Sequence, residues 1–315
     1  MPKSSDDRPY LRGVLSPVVT PFKANLEIDK RRFVAHCRWL LDNGCDGLAV
    51  FGTNSEANSM TVQEKIELLD ALLDAGVDPG RLMPGTGACA IGDAVALSAH
   101  AVKSGCAGVL MLPPFYYKNV PDEGLARYFG EVISRVDDPR LRVYLYHIPP
   151  VAQVGISLDL IARLRRDWPD TVVGIKDSSG DWSNTKAVLD AFAAGGFQVF
   201  AGSDDFLLTN LRNGGVGCIT ASGNVNSPAI GRLYATWEQQ GADDRQRALT
   251  QTRSLLAKYP MIPALKAAIA HYSGDPDWAT VRPPLQALSP AQAETLAKSL
   301  AEDGFTMPGL PRPGM

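Results

Sequence analysis

A lysine at the end of an apolar run is the residue in this sequence best suited to covalent chemistry. Lys176 follows the apolar segment 171–175 and precedes the polar segment 177–180, so we expect it where a buried strand opens into a loop. Burial favours a neutral amine, and a neutral lysine amine attacks carbonyl groups to form a Schiff base. The alternative is an ordinary lysine whose head group reaches solvent at a strand end.

Two further groups would suit such an amine. Tyr146 ends the predicted strand that neighbours the strand of Lys176, and a phenol beside an imine can carry protons. The alternative for this tyrosine is an aromatic side chain that only lines a core. The turn 52–55, with Thr53 and Asn54, offers hydroxyl, amide and backbone N–H groups that could hold a carboxylate. A plain strand-to-loop turn is the alternative there.

Apolar segments and amphipathic helical segments alternate up to about residue 235. The predicted strands cover residues 13–19, 47–51, 81–85, 108–111, 142–147, 172–176, 198–202 and 217–220. The predicted helices cover residues 29–43, 61–75, 91–104, 121–136, 158–167, 184–194 and 204–213. This alternation indicates a parallel sheet of βαβ units, and eight units predict a closed (β/α)8 TIM barrel.

An open, doubly wound sheet is the alternative fold. It would normally carry a glycine-rich nucleotide loop after its first strand. The first strand here leads instead into the segment 16–22, and the glycines of 85–87 lack the G-x-G-x-x-G spacing. In a barrel, the reactive side chains come from the C-terminal ends of the strands, which here are rich in lysine and tyrosine.

Beyond residue 235 the sequence predicts helices only, over residues 243–259, 262–273 and 289–303. Ser289 followed by proline is a favourable helix start. The predicted domain organisation is a disordered N-terminus, a barrel, a C-terminal helical extension and a frayed tail rich in proline and glycine. These units cover residues 1–10, 11–235, 236–305 and 306–315.

Composition and charge exclude several classes of function. The formal net charge of −3 provides no attraction to nucleic acid or to an anionic membrane. No apolar stretch approaches the ~20 residues that span a bilayer, and residues 1–10 lack the apolar core of a signal peptide. The cysteines are scattered, which fits reduced thiols in a cytoplasm. The histidines are unpaired, so we predict no metal site; a zinc site assembled from distant segments is the less favoured alternative.

The chain resembles the dihydrodipicolinate synthase / N-acetylneuraminate lyase superfamily of class I, pyruvate-handling lyases over nearly its whole length. The motifs that carry this resemblance are Ser-Pro-Val-Val-Thr-Pro-Phe at 16–22, Gly-Thr-x-x-Glu at 52–56, Pro-Phe-Tyr-Tyr at 114–117, Leu-Tyr-x-Ile-Pro at 145–149, Gly-Ile-Lys-Asp-Ser-Ser-Gly-Asp at 174–181, Ala-Gly-Ser-Asp at 201–204 and Arg-Pro-Pro-Leu at 282–285.

The resemblance implies that Lys176 forms an imine with the keto carbon of pyruvate or another 2-oxo acid. It implies that Tyr146 is the acid/base. Thr53 and Tyr116 would complete a proton relay, with Tyr117 as the weaker match for that tyrosine. In the synthases of this family the relay tyrosine often comes from a neighbouring subunit, and the resemblance implies a homotetramer built from two dimers. No metal or organic cofactor is required, because the imine acts as the electron sink.

The resemblance also assigns the substrate pocket. Asn54 and its neighbouring threonine would hold the carboxylate, and Ile219 would line the pyruvate pocket. Ser203 or Asp204 could accept hydrogen bonds from a hydroxylated chain, although one of them could cap the next helix instead. Gln153 could contact the distal end of the substrate. Gly202 and Ser178, at strand ends, are the remaining candidate substrate contacts.

Three departures from the family pattern bear on the substrate. Val151 stands where the synthases have an arginine that grips aspartate semialdehyde, and valine cannot pair with a carboxylate. Asn54 and Ser55 replace a threonine and a glycine. With asparagine at this position, the chain resembles the 4-hydroxy-2-oxoglutarate aldolase branch of the family. His147 replaces the more usual asparagine. These changes point away from lysine biosynthesis.

We therefore predict a Schiff-base lyase that makes or cleaves a carbon–carbon bond between pyruvate and an aldehyde. Its substrate would be a 4-hydroxy-2-oxo acid or a 2-keto-3-deoxy sugar acid. A 2-keto-3-deoxy acid dehydratase and a 4-hydroxy-tetrahydrodipicolinate synthase are the alternatives within the family. The alternative outside the enzymes is a ligand-binding or regulatory homologue without turnover. The retention of Lys176 and Tyr146 argues against that alternative.

Overall fold

The protein, a computed structural model that describes residues 10–312, is built around a parallel sheet flanked by helices. Within that range the assigned strands are β1 (Gly13–Ser16), β2 (Gly47–Leu48), β3 (Val109–Met111), β4 (Val143–His147), β5 (Val172–Asp177), β6 (Gln198–Ala201) and β7 (Gly217–Ile219). Their order is β2-β1-β7-β6-β5-β4-β3, and the neighbouring strands pair in parallel. The predicted α/β class and parallel sheet are confirmed.

The predicted strand at 81–85 is not a regular strand. This segment lies between β2 and β3 and makes isolated parallel bridges to both, from Leu82 to Leu48 and from Gly85 to Leu110. Met83 N donates to Leu48 O at 2.8 Å, and Leu110 N donates to Pro84 O at 2.9 Å. Pro84 has no N–H to return a hydrogen bond to the β3 side, so the ladder is interrupted there. Within residues 10–312 the sheet thus has seven strands instead of the eight expected.

The helices follow the strands in sequence. They are α1 (Lys30–Asp42), α2 (Val62–Asp74), α3 (Ile91–Lys103), α4 (Asp122–Val136), α5 (Pro149–Ala152), α6 (Leu158–Asp167), α7 (Trp182–Phe192), α8 (Leu207–Arg212), α9 (Gly223–Ala235), α10 (Ala242–Leu256), α11 (Met261–Ser273) and α12 (Pro290–Glu302). Ser289 caps α12 as expected, because its hydroxyl accepts from Gln292 N at 3.3 Å. Three helices thus occupy the region predicted to be helical after residue 235.

The local structure differs from the sequence-based expectation in two places. The helix predicted over 204–213 begins with a 3-10 turn, Asp204–Phe206, and only Leu207–Arg212 is α-helical. Helix α9 has no counterpart among the predicted helices. That helix contains Pro228, and it is kinked at Asn226, whose φ is −119° and ψ 23°. A segment with glycine, asparagine and proline has little helical propensity, so packing and not local preference forms α9.

The interior of the curved sheet is filled by large side chains. The cluster inside it consists of Leu15, Ala49, Met83, Leu110, Tyr144, Tyr146, Val173, Phe200, Val216 and Ile219. Gly174 leaves room for Tyr144, since a Cβ at Gly174 would lie 2.6 Å from the Tyr144 ring. A second, larger cluster joins the outer face of the sheet to the helices. Side chains on the inner and outer faces of the sheet therefore stabilise the curvature that brings the strand ends together.

The C-terminal segment packs against the body of the protein. Met307 and Leu310 are 6% and 8% exposed, and Trp39 Nε1 donates to Pro308 O at 3.0 Å. The frayed tail predicted from residue 306 is therefore wrong as far as Leu310, because apolar contacts hold it.

Residues 313–315, and residues 1–9 of the predicted disordered N-terminus, lie outside the described residues. The domain boundary at 235 stays a prediction. No helix within 10–312 has the length and apolar character of a membrane span.

Candidate active site

The register of β4 and β5 places the two main reactive candidates side by side. Tyr146 pairs with Lys176 across these strands, and Lys176 Nζ lies 4.2 Å from the centroid of the Tyr146 ring. Tyr146 is 4% exposed and Lys176 is 3% exposed. An amine and a phenol are thus held together in a nearly closed environment, as the strand order predicts.

Apart from the Tyr146 ring, no group in the described part of the chain engages the amine of Lys176. Within residues 10–312 no carboxylate lies at ion-pair distance from its Nζ, and no hydrogen bond to that atom is formed. The adjacent Asp177 points to the other face of β5. Its carboxylate accepts hydrogen bonds from Ser179 N at 2.8 Å, Asn184 Nδ2 at 2.9 Å and Thr185 Oγ1 at 2.7 Å. The Lys176 amine is therefore free to meet a carbonyl group that enters from the strand ends.

The turn after β2 brings a hydroxyl group to the same place. Thr53 Oγ1 lies 3.3 Å from Tyr146 Oη, at hydrogen-bond distance. Thr53–Ser55 form a 3-10 turn. Thr20 Oγ1 donates to Ser55 O at 2.8 Å, and Ser55 Oγ donates to Val18 O at 2.5 Å. These bonds tie the turn to the loop after β1 and fix the position of the Thr53 hydroxyl.

Backbone strain marks this turn. Phe51 and Glu56 on either side of it have φ values of 62° and 57°, in the left-handed region that residues with a Cβ seldom adopt. Gly85 packs directly below, because a Cβ there would lie 2.2 Å from Phe51 O. Strained backbone persists only where the surroundings enforce it, and it is common at functional sites.

A buried ion pair supplies part of that enforcement. Lys266 in α11 and Glu56 are both fully buried, and Lys266 Nζ donates to Glu56 Oε1 and, at 2.7 Å, to Thr280 O. Arg282 N donates to Glu56 Oε2 at 2.8 Å. Burial lowers the pKa of Lys266 to about 8, and the Glu56 carboxylate opposes that shift. The C-terminal helices thus clamp the turn that carries Thr53.

A cavity of about 390 Å³ opens over Lys176 at the C-terminal ends of the strands. Its size falls within the ~300–1,000 Å³ of small-molecule sites. Seven of the residues proposed from sequence line it: Thr53, Asn54, Tyr146, Lys176, Ser178, Gly202 and Ser203. A larger cleft of about 690 Å³, beside Lys23 and Arg282, contains none of them. We therefore take the cavity over Lys176 as the candidate active-site cleft.

Three other candidates lie away from this cavity. Tyr116 is 73% exposed and its ring packs edge-on against Tyr117, with centroids 5.4 Å apart. Ile219 is fully buried in the interior cluster instead of lining the cavity. Gln153 is exposed, because it ends α5 with a φ of 54° that turns it outward. Within one chain, therefore, Tyr116 does not share the cavity with Tyr146.

Asp204 is the fourth candidate outside the cavity, and its role differs from the one expected. Its carboxylate is fully buried and accepts from Thr220 Oγ1 at 2.6 Å and from Ser222 Oγ. Arg253 Nη1 lies 3.1 Å from the same oxygen. Ser203 accepts from Asp205 N at 3.2 Å and so caps the turn that begins there. Asp204 therefore anchors α10 to the strand ends and is closed off from a substrate.

The C-terminal helices contribute residues to the cavity that are not among the sequence-based candidates. Arg253 of α10, the segment 260–263 at the start of α11, and Leu285 all line the cavity. Lys266 could have been recognised from the sequence as a buried charge, since it is a lone lysine among the apolar residues of α11. Arg253 cannot be singled out in this way, because α10 also contains Arg245 and Arg247. Within residues 10–312 no three side chains of His, Cys, Asp or Glu converge as metal ligands.

His147, noted as a departure from the family pattern, has a structural role. It is 6% exposed, and its Nδ1 accepts a hydrogen bond from Ile156 N at 2.9 Å. Burial lowers the pKa of His147, and the Asp177 carboxylate opposes that shift. A neutral imidazole at this position holds the segment that follows α5, and α5 itself carries Val151 at the rim of the cavity.

Comparison with known proteins places this geometry in context. The sequence profile of the dihydrodipicolinate synthetase family matches residues 10–303. An uncharacterized DapA-like lyase of Chloroflexus aurantiacus is 34% identical over 288 residues, which cover 90% of this chain and 94% of that protein.

Two solved structures have the same fold. Dihydrodipicolinate synthase from Agrobacterium tumefaciens str. C58 is 31% identical, with a TM-score of 0.86 over 93% of this chain and 99% of the other. YagE, a prophage protein of the dihydrodipicolinic acid synthase family from E. coli K12, was solved in complex with pyruvate. It is 26% identical, with a TM-score of 0.86 over 94% of this chain and 99% of the other.

Proposed function

The chain belongs to the dihydrodipicolinate synthetase family, and we propose that it is a lyase that forms a Schiff base between Lys176 and pyruvate. It makes or cleaves a carbon–carbon bond between pyruvate and an aldehyde, and its substrate is a 4-hydroxy-2-oxo acid. The observation that carries this proposal is the buried, unpaired Lys176 amine against the ring of Tyr146, whose hydroxyl meets Thr53. The relative from E. coli K12, solved with pyruvate, supports the choice of 2-oxo acid.

The reaction in the cleavage direction begins with addition of the Lys176 amine to the C2 carbonyl. Tyr146 delivers the proton with which the carbinolamine oxygen leaves as water, and an iminium ion forms. The hydroxyl at C4 gives its proton to the phenolate of Tyr146 as the C3–C4 bond breaks. The bonding electrons move to the iminium nitrogen, which yields an aldehyde and an enamine. Protonation of the enamine at C3 and hydrolysis release pyruvate and restore the amine.

The turn at 53–55 is the proposed carboxylate site. The backbone N–H groups of Thr53 and Asn54 have no acceptor within residues 10–312, and both residues line the cavity beside Lys176. N–H groups of successive residues in a turn form a concave site for an anion. With the 2-oxo acid carboxylate held there, C2 lies within reach of the amine. Thr53 Oγ1, 3.3 Å from the Tyr146 hydroxyl, passes the proton onward.

Within the family, dehydration of a 2-keto-3-deoxy acid differs only in the group that leaves. The same enamine chemistry then expels a β-hydroxyl in place of an aldehyde. Synthesis of 4-hydroxy-tetrahydrodipicolinate is disfavoured, because Val151 stands where a carboxylate-binding arginine would be needed and its side chain is 62% exposed at the rim. A homologue that binds ligand without turnover would need no hydroxyl contact between Thr53 and Tyr146.

Several properties inferred from family resemblance belong to the same proposal. The sheet is taken as a (β/α)8 barrel completed by the segment 82–85, with α10–α12 as a helical extension. The active unit is a homotetramer, in which Tyr116 would complete the proton relay of a neighbouring subunit, as its exposure permits.

The five free thiols suit a reducing cytoplasm. The imine serves as electron sink, so the proposed reaction uses no cofactor.

Sodium borohydride reduction in the presence of pyruvate tests the function. It converts the iminium into a stable secondary amine on Lys176, which peptide mapping by mass spectrometry locates. Pyruvate release from 4-hydroxy-2-oxo acids, measured with a coupled lactate dehydrogenase assay, then distinguishes a lyase from a binding homologue.

A further inference from the structure

The residues that line the active-site cavity differ sharply in polarity. Thr53, Asn54, Tyr146 and Lys176 supply polar and reactive groups. Six other lining residues have large apolar side chains, and we call this set the distal wall. It consists of Ile148, Val151, Phe206, Met261, Ile262 and Leu285. A site for the chain of a sugar acid would need hydrogen-bonding groups here, because a buried hydroxyl without a partner is unfavourable.

Two polar side chains that line the cavity, those of Arg253 and Ser203, are engaged with neighbouring carboxylates. Arg253 is 19% exposed, and its Nη1 and Nε lie 3.1 Å from Asp204 Oδ1 and 3.0 Å from Asp205 Oδ2. Ser203 Oγ lies 3.0 Å from the same Asp205 oxygen. Two carboxylates therefore neutralise the one arginine of this cavity. A second carboxylate on the substrate would have to compete with them.

The rim of the cavity is also apolar. Val151 is 62% exposed although it is apolar, and Phe206 and Met261 are only partly buried. Apolar side chains grouped around a concave opening are typical of a site that binds an apolar group. The α11 residues of the distal wall are also held firmly, because the Lys266–Glu56 pair fixes that helix against the turn.

We propose that the aldehyde half of the substrate is an apolar, aromatic or branched aliphatic group, not a polyhydroxylated chain or a second carboxylate. The inference rests on the proposed Schiff-base function and specifies its substrate class. In the synthetic direction, the enamine carbon C3 of the pyruvate adduct attacks the aldehyde carbon, and the aldehyde oxygen takes a proton from Tyr146. Hydrolysis of the iminium releases a 4-hydroxy-2-oxo acid whose C4 substituent lies against the distal wall.

The test compares three aldehydes with pyruvate on the full chain: benzaldehyde, D-glyceraldehyde and glyoxylate. Products are quantified by liquid chromatography and mass spectrometry. We expect kcat/KM for benzaldehyde to exceed the values for both polar aldehydes at least about tenfold, the scale on which an apolar pocket discriminates. A preference for either polar aldehyde, or no turnover of benzaldehyde, overturns the inference.

A matched pair of variants ties the preference to the distal wall. Ile262→Asn places an amide in the wall and should lower kcat/KM for benzaldehyde about tenfold or more, while borohydride trapping of pyruvate continues. Leu288→Asn changes a partly buried leucine in a separate groove beside α12 and should leave the aldehyde preference unchanged. Equal effects of the two variants on the preference contradict the inference.

Borohydride trapping distinguishes a failure of the proposed substrate class from a failure of the proposed Schiff-base function. If pyruvate is trapped on Lys176 and polar aldehydes are preferred, only the substrate class is wrong. If pyruvate is not trapped on Lys176, the Schiff-base function fails, and the inference about the aldehyde fails with it.

Discussion

Lys266 and Glu56, 210 positions apart in the sequence, form a fully buried ion pair between α11 and the turn that carries Thr53. The pair joins the C-terminal helices to the strand ends. It also holds Glu56 in its left-handed conformation, with a φ of 57°. The Thr53 turn of the candidate site therefore depends on a part of the chain that contributes nothing to the sheet.

Lys266→Met should destabilise the protein by about 3–5 kcal/mol, because it leaves the Glu56 carboxylate buried without its partner. Urea unfolding followed by circular dichroism measures this loss. The double variant Lys266→Met/Glu56→Gln should recover part of it. Lys298→Met is the control, since its pair with Glu302 is 74% and 67% exposed and its removal should cost under ~1 kcal/mol. Equal losses for the two lysine variants would refute the anchoring role.

Tyr146→Phe should lower kcat by about 10²–10⁴-fold, because it removes the group that moves protons at the imine. Tyr144→Phe is a matched control on the same strand: its hydroxyl is buried in the interior cluster without a hydrogen-bond partner. That variant should retain activity close to the wild type. Steady-state pyruvate release measures both, and similar losses for the two tyrosines would argue against a proton-transfer role for Tyr146.

His36 should make stability depend on pH. Burial lowers its pKa to about 3, whereas a histidine in the unfolded chain titrates near ~6.5. Between these values the unfolded state binds an extra proton, so stability is complete above pH ~6.5 and falls by about 1.4 kcal/mol per pH unit below it. From pH 7 to 5 the contribution of His36 is a loss of ~2 kcal/mol.

Denaturant unfolding at these two pH values tests this dependence in three proteins. His36→Gln should show a smaller loss between pH 7 and 5 than the wild type. The exposed His271 provides the control, as His271→Gln should leave the pH dependence unchanged. A wild-type slope that persists in His36→Gln would show that other groups produce it.

The sequence predicted the parts of the site that depend on strand ends. Lys176 and Tyr146 terminate apolar runs on consecutive strands, and parallel pairing of consecutive strands then brings them together. The Thr53 turn follows from the same reasoning. These predictions hold because the side-chain direction and register of a strand are strongly determined by its apolar pattern.

Other parts of the site could not be predicted from local pattern. Arg253 and Lys266 reach the strand ends from helices whose packing the sequence does not specify, and Asp204 faces Arg253 because of that packing. The strand expected at 81–85 is interrupted, since Pro84 cannot donate to a ladder. The kinked α9 forms against its local propensity, because its residues are held in the core.

The central claim is that the buried amine of Lys176 forms an imine with pyruvate. Its most direct test is borohydride reduction with pyruvate, followed by intact-mass analysis and peptide mapping of the wild type and Lys176→Ala. We predict a mass increase of one reduced pyruvyl group per wild-type chain, located on Lys176 and absent from the variant. No adduct, or an adduct on Lys103 or Lys118, would contradict the account.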